Sequence, residues 1–415
     1  MSLQVLYARC AGLDVHKKTV VACVLLTAAT GRLTKELRTF ATTTVGLLAL
    51  REWLNSQGVT HVAMESTGVY WRPVFNLLEG AVEVILVNAQ HIKALPGRKT
   101  DIRDSEWLAD LLRHGLVRAS FIPPKPIRDL RDLVRYRKSL VRSHTQQVNR
   151  VHKVLETANI KLSSVASDVL GKSGRDMLEA LLAGEQSADT LAELARGRLR
   201  KKLPALREAL DGRVEQTHRT LLRHQLDLIA YLEEDLERIE GDIEQMLGPY
   251  EPLLSRLVQI PGIGRMTAAS ILAEIGTDMS RFPSARHLAS WAGLAPGNKQ
   301  SGGKRLRART TKGNTYLRAV LAETAWVISH TKDNYLSAQY HRLARRIGEK
   351  RAIVAVSHSL LVIIYHMLRA NQDYHDLGPH FFDTLDTTRQ RDTAVRRLQA
   401  LGYKVTVEAQ TEVNA

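Results

Sequence analysis

Four acidic residues in the first part of the chain have the types and the placement for phosphoryl chemistry. Asp14 lies in Gly12-Leu13-Asp14-Val15-His16, where strand alternation puts Leu13 and Val15 on one face and Asp14 on the other. An acid in the middle of an apolar strand is costly unless it is paired or binds a metal. Glu65 ends the run His61-Val62-Ala63-Met64-Glu65, just before Ser66-Thr67-Gly68. Asp101 and Asp104 stand three apart at the start of a helical run, so their side chains share a face. Singly, each has an ordinary structural account: Asp14 as a turn or edge residue, Glu65 as a helix cap, Asp101 and Asp104 as an N-cap and a first-turn acid favoured by the helix dipole. Together, acids at strand ends and helix starts of one α/β domain can converge on one spot. Hard divalent cations let such like charges coexist, which points to Mg²⁺, with Mn²⁺ as a substitute. Two such ions about 4 Å apart stabilise the attacking and leaving oxygens of a phosphodiester.

A second set of residues is suited to holding phosphate. Ile260-Pro261-Gly262-Ile263-Gly264, followed by a helix from Arg265 to Glu274, resembles half of a helix–hairpin–helix. Gly262 and Gly264 would let backbone N–H groups approach a phosphate at the helix N-terminus, the alternative being an ordinary tight turn. From Lys299 to Arg318 there are seven basic residues and no acidic one, among them Lys304, Arg305, Arg307, Arg309, Lys312 and Arg318. Within this stretch the glycine-flanked Ser301 is either an exposed nucleophile beside phosphate-orienting cations or a loop residue that only touches phosphate. Arg128, Arg131, Arg135, Lys138 and Arg142 form a basic helical stripe, read equally as phosphate contacts or as a solvated face salted by Asp129 and Asp132. Gly171-Lys172-Ser173 suggests a P-loop, but Ala166 stands where the first glycine belongs and no apolar strand precedes it, which excludes ATP binding. The 15 histidines show no zinc-ligand spacing.

The elements that must position these groups follow from patterning. Gly12–Leu26, Leu33–Thr43, His61–Glu65 and Val82–Val87 read as strands, Val45–Asn55, Val69–Leu78 and Asp101–His114 as helices. That succession implies an α/β domain with a mixed central sheet over residues 1–125, closed by Pro123, Pro124 and Pro126. Residues 126–249 are helical, with near-heptad runs Ile127, Leu130, Val134, Val141, Val148, Val151, Leu155 and Leu222, Leu226, Ile229, Leu236, Ile239, Ile243, Met246. These runs imply an antiparallel coiled-coil arm or a dimer contact, with a helical insertion at 160–215. Residues 250–371 form a glycine-punctuated helical domain, and 372–415 a tail with a basic helix and a strand-like Tyr403–Val407.

Composition bounds the partners. Lys and Arg number 59 against 43 Asp and Glu, a net charge of +16, which favours nucleic acid. The excess is densest in residues 250–335, with 12 basic and 5 acidic side chains. The longest apolar stretch, Ile353–Leu368, contains Ser357, His358, Ser359 and His366 and reads as a buried helix rather than a membrane span. The N-terminus lacks a signal-peptide pattern, and the two cysteines, Cys10 and Cys23, form no CxxC pair. A cytoplasmic, nucleoid-associated protein with no membrane contact is expected.

Gly12-Leu13-Asp14-Val15-His16-Lys17, Met64-Glu65-Ser66-Thr67-Gly68-Val69-Tyr70-Trp71 and Lys99-Thr100-Asp101-Ile102-Arg103-Asp104-Ser105 resemble the first domain of the DEDD insertion-sequence transposases. Leu257–Gly264, Trp291-Ala292-Gly293-Leu294, Ser301-Gly302-Gly303 and Lys312-Gly313-Asn314-Thr315-Tyr316-Leu317-Arg318 resemble their second. The resemblance covers residues 10–330 in the family's order. It implies an α/β RNase H-like (RuvC-like) domain in which Asp14, Glu65, Asp101 and Asp104 hold Mg²⁺, a coiled-coil arm, and a mostly α-helical transposase domain in which Ser301 is the catalytic serine. It further implies DNA cutting and rejoining through a serine–phosphate link, a non-coding bridge RNA that chooses the DNA, and dimers that pair into tetramers. Many relatives carry two serines before the glycine, whereas Gln300 precedes Ser301 here. The competing readings are a metal-dependent junction nuclease with water as nucleophile, and a non-catalytic nucleic-acid-binding protein.

Overall fold

In the computed structural model, residues 4–66, 68–87, 101–297, 299–301, 304–306, 310–384 and 387–407 are described, with the backbone alone for 101–103, 299–301, 304–306, 383–384 and 387–390. The chain divides into two units, Met1–Ile122 and Pro123–Ala415.

The first unit is built on a mixed five-stranded sheet of order β3-β2-β1-β4-β5. Strands β1 (Arg9–Val15), β2 (Thr19–Thr27) and β3 (Leu33–Ala41) form an antiparallel meander. Strands β4 (His61–Glu65) and β5 (Glu83–Val87) add to β1 in parallel. Alternation sorts each strand between two faces. Leu13, Val15, Val20, Val24 and Met64 pack under α1 (Thr44–Ser56) and α2 (Trp71–Leu78). Cys10, Cys23, Ala63 and Val87 pack under α3 (Asp101–Arg113) through Leu108, Ala109 and Leu112.

Gly12 sets how closely α3 lies on the sheet. A Cβ there would collide with the Ser105 carbonyl oxygen and come within 2.5 Å of the Ala109 nitrogen. Helix α3 runs opposite to β1. Its end is tied to the start of β1, where the Leu6 N–H donates to the Arg113 carbonyl at 2.8 Å. Its middle touches Cys10 and Gly12, and its first turn is thereby carried toward the C-terminal end of β1.

The second unit is mostly helical. Helices α4 (Lys125–Thr157) and α9 (Gln216–Leu247) pair antiparallel, shown by Arg137 bonding Glu240 at 2.6 Å and His144 bonding Glu233 at 3.2 Å. Two polar residues that interrupt the near-heptad apolar run, Arg137 and His144, therefore tie the two helices together. The seam itself departs from the expected one: Leu140 and Gln147 are buried while Val141 is exposed, and Leu232 and Leu247 replace Leu236 and Met246. A single heptad line fails because α4 serves two neighbours, α9 along one side and α11 (Arg265–Ile275) along another. The insertion folds as α5 (Leu162–Val165), α6 (Lys172–Ala183), α7 (Ala188–Glu193) and α8 (Leu203–Leu210), around a core shared with Val151, Leu155, Leu222 and Leu226.

Beyond α9 come α10 (Glu251–Val258), α11, α12 (Ala285–Trp291), the ribbon β6 (Lys299–Ser301) and β7 (Lys304–Leu306), α13 (Thr315–Ser329), α14 (Tyr335–Ile347) and α15 (Glu349–Ala370). Helix α15 is long and apolar enough to cross a membrane by length and composition. Half of it is buried, against α12, α13 and α14, as for a core helix. In the tail, α16 (Phe381–Thr384) and α17 (Thr387–Ala400) are helical, but Tyr403–Val407 forms no strand: among the described residues no partner strand pairs with it.

Two outcomes follow from the packing of α3. Gly12→Ala should lower the stability of the first unit by about 2–3 kcal/mol, because the added carbon meets backbone that cannot swing aside; an unchanged denaturation midpoint would contradict the close approach. Burial pushes the Cys10 and Cys23 thiols up to about 12 and about 11. Neither should react with iodoacetamide near neutral pH in the folded chain, and mass spectrometry after brief labelling would reveal any adduct.

Candidate active site and nucleic-acid interface

The parallel register aligns the first two carboxylates. Gly12 pairs with Ala63 and Leu13 with Met64, so Asp14 and Glu65 come next on neighbouring strands. Asp14 shares the face of Cys10 and Gly12, and Glu65 that of Ala63, so both belong to the face covered by α3. Asp104 directly precedes the fully buried Ser105, whose carbonyl oxygen borders Gly12. Asp101 opens α3 one turn before Ser105, and its side chain lies outside the described residues. The C-terminal ends of two parallel strands and the first turn of one helix thus share one end of the sheet.

Asp14 is partly buried, with 19% of its side chain exposed, and its Oδ2 lies 3.0 Å from His16 Nε2. His16 had no place in the sequence reading, although its position two residues on puts it on the same strand face. Asp14 and Glu65 offer carboxylate oxygens, the donors hard divalent cations prefer, with the His16 imidazole beside Asp14. Among the described residues, no three His, Cys, Asp or Glu side chains stand close enough to hold a metal.

The second unit presents Ser301 on a ribbon. Ser301 ends β6 and pairs with Lys304, the first residue of β7. The side chains of Ser301, Lys304 and Arg305 lie outside the described residues, as do Gly302, Gly303, Arg307 and Arg309 altogether. Pro296 bridges Thr310, and a Cβ at Gly293, whose φ is +73°, would lie 2.8 Å from the Gly313 nitrogen. A Cβ at Gly313 would in turn collide with the Ala292–Gly293 backbone. Two motif glycines, twenty positions apart in sequence, therefore pinch the segment that carries Ser301.

Asn314, next to the pinch, caps α13 by accepting from the Tyr316 and Leu317 N–H groups at 3.0 and 3.1 Å. Its amide nitrogen donates to Glu274 Oε2 at 2.6 Å. Glu274, only 2% exposed, also takes two bonds from Arg135, at 2.7 and 2.8 Å. The Arg135 guanidinium lies 4.2 Å from the centre of the Tyr316 ring. Arg131 donates to the carbonyls of Ala273 and Glu274 at 2.8 and 2.9 Å, satisfying the last turn of α11. Two members of the basic stripe are thus committed to holding α4, α11 and α13 together.

The other candidate residues fall into distinct settings. Lys138 pairs with Glu323 at 3.2 Å, Arg128 donates to the Pro123 carbonyl at 3.0 Å, and Arg142 is exposed. Gly262, at φ +79°, lies against α13, where a Cβ would come 2.9 Å from Ile328. Gly264 caps α11, and a Cβ there would meet open space. Lys312 is exposed, and Arg318 reaches Thr310 Oγ1 at 3.3 Å. An open groove of about 690 Å³ between α4, α11 and α13 is lined by Arg137, Lys138, Arg142, Thr145, Gly262 and Ser270, among others.

The chain matches a family model described as a transposase, of the DEDD type, over residues 11–160. A second model, for the transposase IS116/IS110/IS902 family, matches residues 254–341. The transposase for insertion sequence element IS1111A of Coxiella burnetii is 26% identical over 322 residues, covering 75% of this chain and 79% of that protein. The pilin gene-inverting protein of Moraxella bovis is 27% identical over 376 residues, covering 88% and 96%. An uncharacterised protein of insertion element IS110 from Streptomyces coelicolor is 27% identical over 306 residues, covering 68% and 74%.

Glu274→Ala would leave Arg135 and Asn314 facing an empty site in a buried setting. A loss of about 3 kcal/mol is expected, the cost of breaking a buried ion pair from one side. A chemical-denaturation midpoint equal to that of the parent chain would show that the network does not hold α4 to α11.

Proposed function

Since this chain belongs to the IS110-type DEDD transposases and is a DNA transposase, we propose that it mobilises an insertion sequence by cutting and rejoining DNA through Ser301 and a divalent cation held by its four carboxylates. The observation that carries the metal half is the register that aligns Asp14 and Glu65 at the sheet end reached by the first turn of α3. Asp14, Glu65, Asp101 and Asp104 would hold Mg²⁺, or Mn²⁺ in its place, within an RNase H-like domain. When bound, the cation supplies Lewis-acid stabilisation of charge on the phosphate. His16, with its Nε2 3.0 Å from Asp14 Oδ2, would help orient that carboxylate.

The serine half rests on the family motif and on the pinched ribbon. The Ser301 hydroxyl attacks the scissile phosphorus; as the Oγ–P bond forms, the bond to the leaving strand's oxygen breaks, and that oxygen takes up the proton the serine gives up and departs as a hydroxyl. A hydroxyl of the incoming strand then attacks the same phosphorus, forming the new phosphodiester and restoring the Ser301 hydroxyl. Cations flanking the ribbon, Lys304, Arg305, Arg307, Arg309, Lys312 and Arg318, would bind the phosphates and offset charge in the transition state. The groove beside Gly262 and the α11 N-terminus at Gly264 would carry adjoining backbone. The inversion activity named for the Moraxella bovis relative requires the same two operations, cutting and rejoining.

The family resemblance extends the proposal. The α4–α9 pair would serve as the coiled-coil arm of a dimer that forms tetramers on DNA. A bridge RNA would choose donor and target, and the protein would act in the cytoplasm at the nucleoid.

Trapping tests the proposal. With Mg²⁺ and element-end DNA, the parent chain should give a covalent protein–DNA adduct that Ser301→Ala and chelation of the metal both abolish. Asp14→Asn should reduce cleavage by at least about a hundredfold. Cleavage that persists in Ser301→Ala, with no adduct in the parent, would favour the junction nuclease that uses water.

A further inference from the structure

The Gly171-Lys172-Ser173 motif, unsuited to ATP, lies in a part of the chain that neither family model matches. It forms the start of α6, and α6 is preceded by no strand. Next to it is an open cavity of about 650 Å³. Lys172 and Ser173 reach it from α6, and Arg196, Arg198 and Lys202 from the 3₁₀ turn Gly197–Lys202 and its flank. Asp168 is the one carboxylate among its lining residues.

This concentration of cations is segregation rather than composition. Residues 160–215 contain ten basic and nine acidic side chains, whereas residues 196–202 contain five basic and none acidic. The cavity is also braced. The Arg196 backbone N–H donates to Ser173 Oγ at 2.9 Å, joining the 3₁₀ turn to α6. Arg196 pairs with Asp176 at 2.6 Å, and Lys202 donates to the Val165 carbonyl at 3.0 Å. Lys172 and Arg198 are exposed.

We propose that this cavity is a DNA-backbone site, which holds duplex beyond the strands being exchanged. Exposed cations from two elements, around an open concavity, suit a repeating row of phosphates better than one small anion. DNA is the polyanion on which a transposase acts. The inference rests on DNA being the substrate and is independent of Ser301 being the nucleophile.

The test uses the full chain, with anisotropy titrations of a labelled duplex and of a structured RNA over a range of salt. Lys172→Ala/Arg198→Ala/Lys202→Ala should weaken duplex binding by at least about tenfold and make the log Kd against log salt slope shallower by about 2 to 3. Arg345→Ala/Arg346→Ala/Lys350→Ala removes the same charge from the α14–α15 turn and should change neither. Arg198→Glu alone, at an exposed position, should reproduce the direction if the triple variant melts early. Equal loss in the control variant, an unchanged salt slope, or a loss confined to RNA would overturn the proposal. Adduct trapping reads the nucleophile and the salt-dependent duplex titration reads this site, so failure of the nucleophile assignment and failure of this site appear in different assays.

Discussion

Much of the second unit depends on one buried carboxylate. Glu274 is almost wholly removed from water, which no ionised acid tolerates without partners. It takes them from two directions, Arg135 of α4 and Asn314 at the start of α13. Ion pairs of this kind add little net stability over an apolar core, but they permit few alternative arrangements. The arrangement here places the cap of α13 directly after the Gly293–Gly313 pinch, and the pinch closes the stem of the ribbon that carries Ser301. A carboxylate remote in sequence from the serine thereby fixes the base from which the serine segment projects.

The first unit poses a different problem, that of carrying separate segments to one end of a sheet. Like charges repel, and no local sequence preference assembles them. The unit uses backbone geometry instead. Parallel pairing carries Asp14 and Glu65 to neighbouring positions, and the absence of a side chain at Gly12 lets α3 lie close enough to bring its first turn to the same sheet end. The same geometry buries Cys10 and Cys23 under α3, where burial raises the pKa of both thiols.

Basic residues in the second unit divide by what they touch. Arg131, Arg135 and Arg137 are spent on helix termini and carboxylates within the fold. Arg142, Lys312, Lys172 and Arg198 are exposed. Net charge alone could not make this division, because a guanidinium on a basic stripe looks the same in sequence whether its neighbour is a phosphate or a buried glutamate. A transposase needs both kinds: rigid helices to hold the reacting segment, and exposed cations to hold DNA.

The sequence by itself determined most elements of the first unit, the candidate acids, the serine motif and the family, because strand alternation, helix periodicity and short glycine-bounded motifs are local properties; it ran Gly12–Leu26 together as one strand, where the chain turns back after Val15 and β1 pairs with β2. It also pointed to α4 and α9 as long paired helices. Tertiary structure decided which residues those helices bury, because α4 has to satisfy α9 and α11 at once, and one heptad line cannot describe two neighbours. It decided that Tyr403–Val407 is not a strand, since β-propensity produces a strand only where a partner edge is present. It decided, too, that Gly12, Gly293 and Gly313 are sites of close backbone approach, that His16 adjoins Asp14, and that Glu274 is a hub. Each of these depends on a contact between segments distant in the chain, and such contacts have no signature in the local pattern of either segment.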